Sequence, residues 1–337
     1  MVKKGVLSVA SIGRSWSVLD RTVAGPDTGL RDLGHRRIVE SMAAAQLTPV
    51  EGIRRELQRA VRTYITGQPK AAGNVGLASD GWFGPDSITW LVQSDWSTII
   101  GGVESLLVQT LHPPTMAGVA DHSKYKSDPF GRLHRTADFI GTTTFASAGE
   151  AERMVQTVRR IHDRVVGETA DGTPYEANDP HNLAWVHCTE VDGFLRAYRR
   201  YGTVPITDDE ADTYVSEIAR VGEALGVIDA PRTVDQLDDR LRSYLPELRF
   251  DRQAREAVRW LLLPPNKPPA QAAYLLVLSS AINLLPSWAR RRLWLPPRIP
   301  VVSNALVAPA AKTLMGALNW IMEPPPQIAE VRDRRNG

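Results

Sequence analysis

The sequence predicts an all-α protein. Three observations predict it. Apolar residues recur at i, i+3, i+4 and i+7 in stretch after stretch; capping residues and prolines sit where those stretches begin; and no run shows the strict alternation of a half-buried strand. There is no internal repeat, and 337 residues are ample for a large buried core.

Residues 1–33 have no sustained period and read as an N-terminal arm. Leu33–Ala45 and Pro49–Ile65 read as helices, the second opened by Thr48 as N-cap and Pro49 at the first helical position. Thr66–Asp86, rich in glycine and proline, reads as a long loop. From Ser87 to Leu111 a helical face carries Ile88, Leu91, Trp96, Ile99, Ile100, Val103, Leu106 and Leu107, with Gly101–Gly102 marking a kink or a close-packing point. Pro113–Pro114 ends it and Thr115–His122 restarts briefly. Ser127-Asp128-Pro129 opens a helix to about Phe139, where the β-branched run Thr142–Thr144 favours its end.

Ser147–Gly167 reads as one amphipathic helix. Ser147 and Glu150 form a capping box, Ala151, Met154, Val155, Val158, Ile161 and Val165 make its apolar stripe, and Gly167 stops it. A polar loop with the Asp171-Gly172 turn signal follows. Asp179-Pro180 opens the next helix, through about Tyr201, with Leu183, His187, Val191, Phe194 and Tyr198 on one face. Helices over Asp208–Leu225, Thr233–Leu245, Asp251–Leu263, Pro269–Leu284 and Ser303–Met322 complete the chain, punctuated by proline pairs. The charged residues 331–337 read as a loose tail, leaving 34–330 as a single helical domain.

Composition excludes several functions. A net charge of +2 implies neither nucleic acid nor an anionic membrane as partner. The single cysteine, Cys188, excludes an internal disulfide and any multi-cysteine zinc or iron–sulfur site. The apolar run after the two N-terminal lysines is too short for a secretory segment, which predicts a cytoplasmic protein. The most apolar window, Ala273–Leu285, falls short of the roughly 20 residues a bilayer span needs, so it reads as a buried helix; a weak peripheral membrane contact by the C-terminal third stays open. H-E-x-x-H, E-x-x-H, Walker, G-x-G-x-x-G and G-x-S-x-G motifs are all absent.

The chemistry-bearing candidates lie on three helices. His162 breaks the apolar stripe of the Ser147 helix: it suits a core histidine bonded to a backbone carbonyl, and equally a metal or haem ligand. Arg132 and Thr136 stand at i, i+4 with Phe139 continuing the face and Arg135 one step round. Such a face suits a surface arginine with a satisfied hydroxyl, or a cation that pairs with a carboxylate. His187 suits structural support or an alternative ligand, with Glu190 as its partner, while His181 faces elsewhere and does not pair with it. His112, His122 and His134 read as polar loop or surface residues.

The ordered string Trp90–Gln109, LHPPTMAGVADHSKYKSDPFGRLHRT, IHDRVVG and YEANDPHNLAWVHCTE resembles the haem-dependent oxygenase family of latex-clearing proteins and MpaB-type oxygenases, formerly a domain of unknown function. The motif core spans residues 84–201, with a looser likeness beyond. The resemblance implies a globin-like helical core around one b-type haem, with additional N- and C-terminal helices. It implies His162 as the proximal iron ligand, with dioxygen bound opposite. Arg132 and Thr136 match the family's R-x-x-x-T motif at the haem edge, beside Phe139. Where the latex-clearing branch has a distal lysine this chain has Arg135, which is essentially never deprotonated. Where that branch has a distal glutamate, this chain has Thr115-Met116-Ala117-Gly118. Rubber is therefore not the expected substrate; an apolar small or medium organic molecule is. The electron donor is not named by any motif. The competing readings are a haem peroxidase or peroxygenase, which calls for His122 or His134 to turn inward, and a non-catalytic haem carrier or gas sensor.

Overall fold

The computed structural model describes residues 49–66, 78, 80–123, 125, 126, 128–262, 270–322, 324 and 326–336. The expected arm, the Leu33–Ala45 helix, the Thr48 cap and the boundary at residue 33 lie outside them. Contacts divide the chain into two units, Met1–Ile53 and Arg54–Gly337. The second is built almost wholly of helices: α1 (Pro49–Thr66, beginning in the first unit), α2 (Ile88–Gln93), α3 (Thr98–Gln109), α4 (Pro113–His122), α5 (Pro129–Phe145), α6 (Ala148–His162), α7 (Pro180–Tyr201), α8 (Asp208–Leu225), α9 (Val234–Ser243), α10 (Arg252–Leu262), α11 (Ala270–Leu284), α12 (Ser287–Arg292), α13 (Pro300–Val302), α14 (Ala308–Met322) and α15 (Pro326–Asn336). A π-helical turn, Ser303–Val307, joins α13 to α14. The all-α expectation holds.

Several boundaries differ from the expectation, each for a physical reason. The Ser87–Leu111 stretch breaks at Ser94–Ser97, not at the glycines, because Asp95 turns inward there and accepts from the Ser97 amide (2.8 Å). Pro113 does not end a helix but starts one: it takes the first position of α4, where a missing N–H costs nothing. Helix α5 runs through Thr142–Thr144, because Thr143 and Thr144 are buried in the protein; the Thr143 hydroxyl donates to the Phe139 carbonyl (2.9 Å). Helix α6 has the expected capping box but ends at His162 rather than Gly167. Residues beyond it enter a small antiparallel hairpin, β1 (Val166–Glu168) with β2 (Pro174–Glu176), which the sequence reading did not anticipate. Gly172, at the expected turn, has φ +82°, a conformation L side chains rarely adopt. Residues 331–336 are not a loose tail but the end of helix α15, where Arg332 is buried, donates to Asn319 Oδ1 (3.1 Å) and lies 3.6 Å from Asp95.

The core centres on α7, whose expected face, Leu183, His187, Val191, Phe194 and Tyr198, is buried throughout. Trp90, Trp185, Tyr198, Tyr214 and Tyr244 are its largest enclosed side chains. Helix α7 packs most closely on α3. The contact is backbone on backbone: a Cβ on Gly101 would lie 2.4 Å from the Gly193 carbonyl oxygen, and one on Gly193 2.6 Å from that of Gly101. The close-packing alternative for the glycine pair thus holds for Gly101. Gly102 has only the Phe194 ring, at 3.7 Å.

Helices α13 and α14 with their π turn form one stretch, Pro300–Met322, long and apolar enough to cross a bilayer by length and composition, with mean hydropathy 1.3. One face of it packs on the body through Ala308, Ala311, Met315 and Asn319. Trp294, Ile299, Val301 and Leu306 leave their side chains exposed around its start.

Gly101→Ala is expected to lower stability by about 1–3 kcal/mol, since the α3–α7 crossing has to open. Gly102→Ala should be neutral or stabilising by up to about 1 kcal/mol. Urea denaturation midpoints of the two variants check the contrast; equal effects would place the close approach elsewhere.

Candidate functional site

Helices α5, α6 and α7 carry the residues singled out from sequence. Asp128 caps α5 by accepting from the Gly131 amide (2.9 Å), which sets the helix phase and so the direction of Arg132. Arg132 keeps some accessible surface while densely surrounded by protein, and burial lowers its pKa. The charge it faces is Glu190 of α7. Burial pushes the Glu190 carboxyl up to about 7, against the opposing pull of Arg132. Both side chains are half-buried.

Glu190 was expected to partner His187. It acts with Arg132 of α5 instead: although positions 187 and 190 are neighbours on α7, no interaction among the described residues joins the two side chains, and the charge that acts on Glu190 is Arg132. His187 is buried against α8, where a Cβ on Gly222 would meet its ring at 2.9 Å. Neither of its nitrogens has a polar partner among the described residues, and burial alone drives its pKa down to about 4. Phe139 is half-buried and packs on the main core. Thr136 is exposed and donates its hydroxyl to the Arg132 carbonyl (3.2 Å). Arg135 is also exposed, 3.6 Å from Asp128.

His162 is the last residue of α6, half-buried, its pKa lowered chiefly by burial. Its Nδ1 is enclosed and has no hydrogen-bond partner. Asn178, beyond β2, acts on the ring in the opposite sense. The Asn178 amide nitrogen donates to the Arg159 carbonyl (3.1 Å) and to Asp163 Oδ1 (2.7 Å). Its oxygen, turned away from both, is likewise buried without a partner. A ring N–H and an amide oxygen, both enclosed and both unpaired, are a matched donor and acceptor. No interaction among the described residues joins His162 directly to Arg132, Thr136 or His187.

Sequence reasoning missed a third feature. His112, expected at the surface, is completely buried, because as N-cap of α4 it turns inward among Trp185, Tyr244 and His181. Burial pushes its pKa down to about 4. His181 Nε2 lies 2.8 Å from Glu247 Oε2, a hydrogen bond in which the ring N–H donates to the carboxylate. The His-Pro-Pro start of a helix was the available signal, since an N-cap side chain folds back on its own turn.

Glu190 yields a pH prediction. Its folded pKa, about 7, lies above the usual carboxylate range, so between about pH 4.3 and pH 7 the folded state binds more protons than the unfolded one. Its contribution to stability therefore falls as pH rises through that window. His112 and His187, with lowered pKa values, contribute with the opposite sign. Denaturation of wild type and Glu190→Gln between about pH 5 and pH 8 isolates the carboxyl: the variant should gain stability relative to wild type as pH rises. A constant difference would mean that the Glu190 carboxyl titrates alike in the folded and unfolded states.

Comparison with known proteins adds the family. A family model described as ER-bound oxygenase mpaB/B'/Rubber oxygenase, catalytic domain, matches residues 90–320, which include Arg132, His162, His187 and Glu190. No curated protein and no solved structure gives a match. The match covers well over half of the chain, which therefore belongs to the mpaB/rubber oxygenase catalytic-domain family, a family of oxygenases.

Proposed function

We propose that this chain is a haem b-dependent oxygenase acting on an apolar small or medium organic substrate, in a globin-like setting, with His162 as the residue that would hold the iron. The observation that carries the reading is the unpaired, buried Nδ1 of His162 beside the unpaired, buried Asn178 oxygen. Pairing them puts the proton on Nδ1 and leaves the Nε2 lone pair free to coordinate. Burial keeps the ring neutral, as a ligand has to be. Arg132, a shielded cation, fits a propionate carboxylate. The residues present therefore fit the group. Bound haem supplies activation of dioxygen.

The remaining chemistry belongs to the chain. Arg132, rather than the exposed Thr136 and Arg135, is the α5 side chain placed to neutralise developing negative charge. Glu190 holds a proton near neutral pH and can give it up or take it back at its carboxyl oxygen, the role for which the Thr115–Gly118 stretch offers no carboxylate. Phe139 and the apolar faces of α3 and α7 exclude water from the reacting centre. The peroxidase reading lacks its distal histidine: His122 lies against the Val166 carbonyl at 3.2 Å and His134 against Asp138 at 3.4 Å.

A weak peripheral membrane contact belongs to the same proposal. Trp294, Ile299, Val301 and Leu306 form an exposed apolar edge flanked by Arg291 and Arg298. The buried Asn319, bonded to Arg332, ties α14 to the protein body, which favours lying on a surface over crossing it.

Purified protein should give a b-type pyridine haemochrome. His162→Gly should lose axial ligation and regain it with added imidazole, while Asn178→Leu should keep the histidine ligand and weaken haem affinity by about 10–100-fold. Unchanged spectra in His162→Gly would refute the ligand. Product formed with dioxygen and a reductant, and not with peroxide, separates oxygenase from peroxygenase; reversible ligand binding without product favours the carrier. Co-sedimentation with anionic lipid vesicles should fall in the Trp294→Ala/Leu306→Ala double variant; equal sedimentation would rule that edge out.

A further inference from the structure

Three ligand-bearing side chains from segments far apart in sequence converge, none of them among the residues proposed to hold haem. One ring nitrogen each of His112 and His181 and a carboxylate oxygen of Glu247 all lie within 4.8 Å of one another. Glu247 Oε2 is 2.8 Å from His181 Nε2 and 3.6 Å from His112 Nε2. Around a tetrahedral zinc, ligand atoms at about 2.0–2.2 Å from the ion stand about 3.3–3.5 Å apart. Of the three separations, that of Glu247 from His112 is within about 0.1–0.3 Å of that value, that of Glu247 from His181 needs to open by about half an ångström, and that between the two histidines is no more than 4.8 Å.

The cluster is held in place by contacts that do not involve its ligand atoms. His112 Nδ1 lies 2.8 Å from the Thr115 hydroxyl, which accounts for that nitrogen and leaves Nε2 for another partner. That Nε2 is fully enclosed and has none. His181 stacks on Tyr244 at 4.4 Å, and the Tyr244 hydroxyl donates to the His181 carbonyl (2.7 Å). The Arg249 amide donates to the Leu111 carbonyl (2.7 Å), which locks the Glu247 turn beside His112. Burial leaves His112 neutral, so its lone pair is available at neutral pH. A hydrogen bond between His181 and Glu247 explains two of the three residues. It does not explain the enclosed, unpartnered Nε2 aimed at the same carboxylate.

We propose that His112, His181 and Glu247 form a divalent transition-metal site, of the two-histidine, one-carboxylate type that suits zinc. His181 and Glu247 are half-exposed, so a further position on the ion faces solvent. The ion clasps the start of α4, the start of α7 and the turn after α9, and thereby pins α7 at its N-terminal end.

Titration of the metal-free full chain with cobalt(II) tests it, with zinc(II) as competitor. The expected result is one equivalent bound with visible ligand-field bands, displaced by zinc. His181→Ala and Glu247→Gln, both at half-exposed positions that folding tolerates, should each weaken binding by about 100-fold or more. Zinc should raise the thermal midpoint of wild type and not of Glu247→Gln. Absence of ligand-field bands, or equal binding by wild type and both variants, would overturn the site. The pyridine haemochrome, measured in parallel, depends on none of His112, His181 and Glu247 and so distinguishes failure here from failure of the oxygenase reading.

Discussion

The backbone contact between Gly101 and Gly193 is the constraint on which the rest of the structure depends. Two helices can approach this closely only where both lack a Cβ. The approach places α7 deep in the molecule, with side chains on every face enclosed by a different neighbour: His187 against α8, Glu190 toward Arg132 of α5, Phe194 over Gly102 of α3. A helix at the centre cannot be amphipathic in the ordinary sense. Its polar residues have to find partners inside the protein.

Those partners are found in two ways. Asp95, almost fully enclosed, accepts from the Ser97 amide and from the Thr203 amide and hydroxyl, with Arg332 at 3.6 Å. Four groups from three parts of the chain share one carboxylate, which ties the break between α2 and α3 to the C-terminal helix. Asp192 is paired by both oxygens to Arg196 Nε at 2.7 Å, whereas Glu104 beside them keeps its Oε1 unpaired. Burial and the Asp192 charge raise the Glu104 carboxyl well above the usual range, so it meets burial by staying protonated. Glu190 lies between these cases. Its cation is near enough to matter and not near enough to hold it ionised, which is the condition for a group that exchanges protons near neutral pH.

How far the sequence foretold this differs from element to element. The capping box at Ser147 and Glu150, the Asp179-Pro180 start and the buried face of α7 were legible because local hydrogen bonding and helical periodicity determine them. Helix ends were less so. Thr142–Thr144 looked like a stop, yet tertiary burial of Thr143 and Thr144 carries the helix past them. Val165 and Val166 looked like a continuing stripe, yet cross-strand pairing with Glu176 takes Val166 out of the helix. At the site, His162, Arg132 and His187 stood out because each is a polar residue at an anomalous position on its own helix. The pairing of Arg132 with Glu190, and the convergence of His112, His181 and Glu247, depend on helices meeting in space, and no periodicity along the chain encodes that.

The partner of His162, the proposed iron ligand, bears on the kind of chemistry proposed. A carboxylate accepting from Nδ1 pulls the proton toward itself and gives the ring imidazolate character, which makes it a stronger electron donor to a bound metal. A neutral amide oxygen does so far less. In this chain the nearest carboxylate, Asp163, is already engaged by the Asn178 nitrogen at 2.7 Å, so the oxygen left to face His162 is that of a neutral amide. The amide thus screens the imidazole from the anion next to it. A moderate donor of this kind matches a site that takes up dioxygen and draws electrons from outside better than one built to cleave peroxide unaided. Asn178 therefore ranks with His162 itself among the residues on which the oxygenase reading rests.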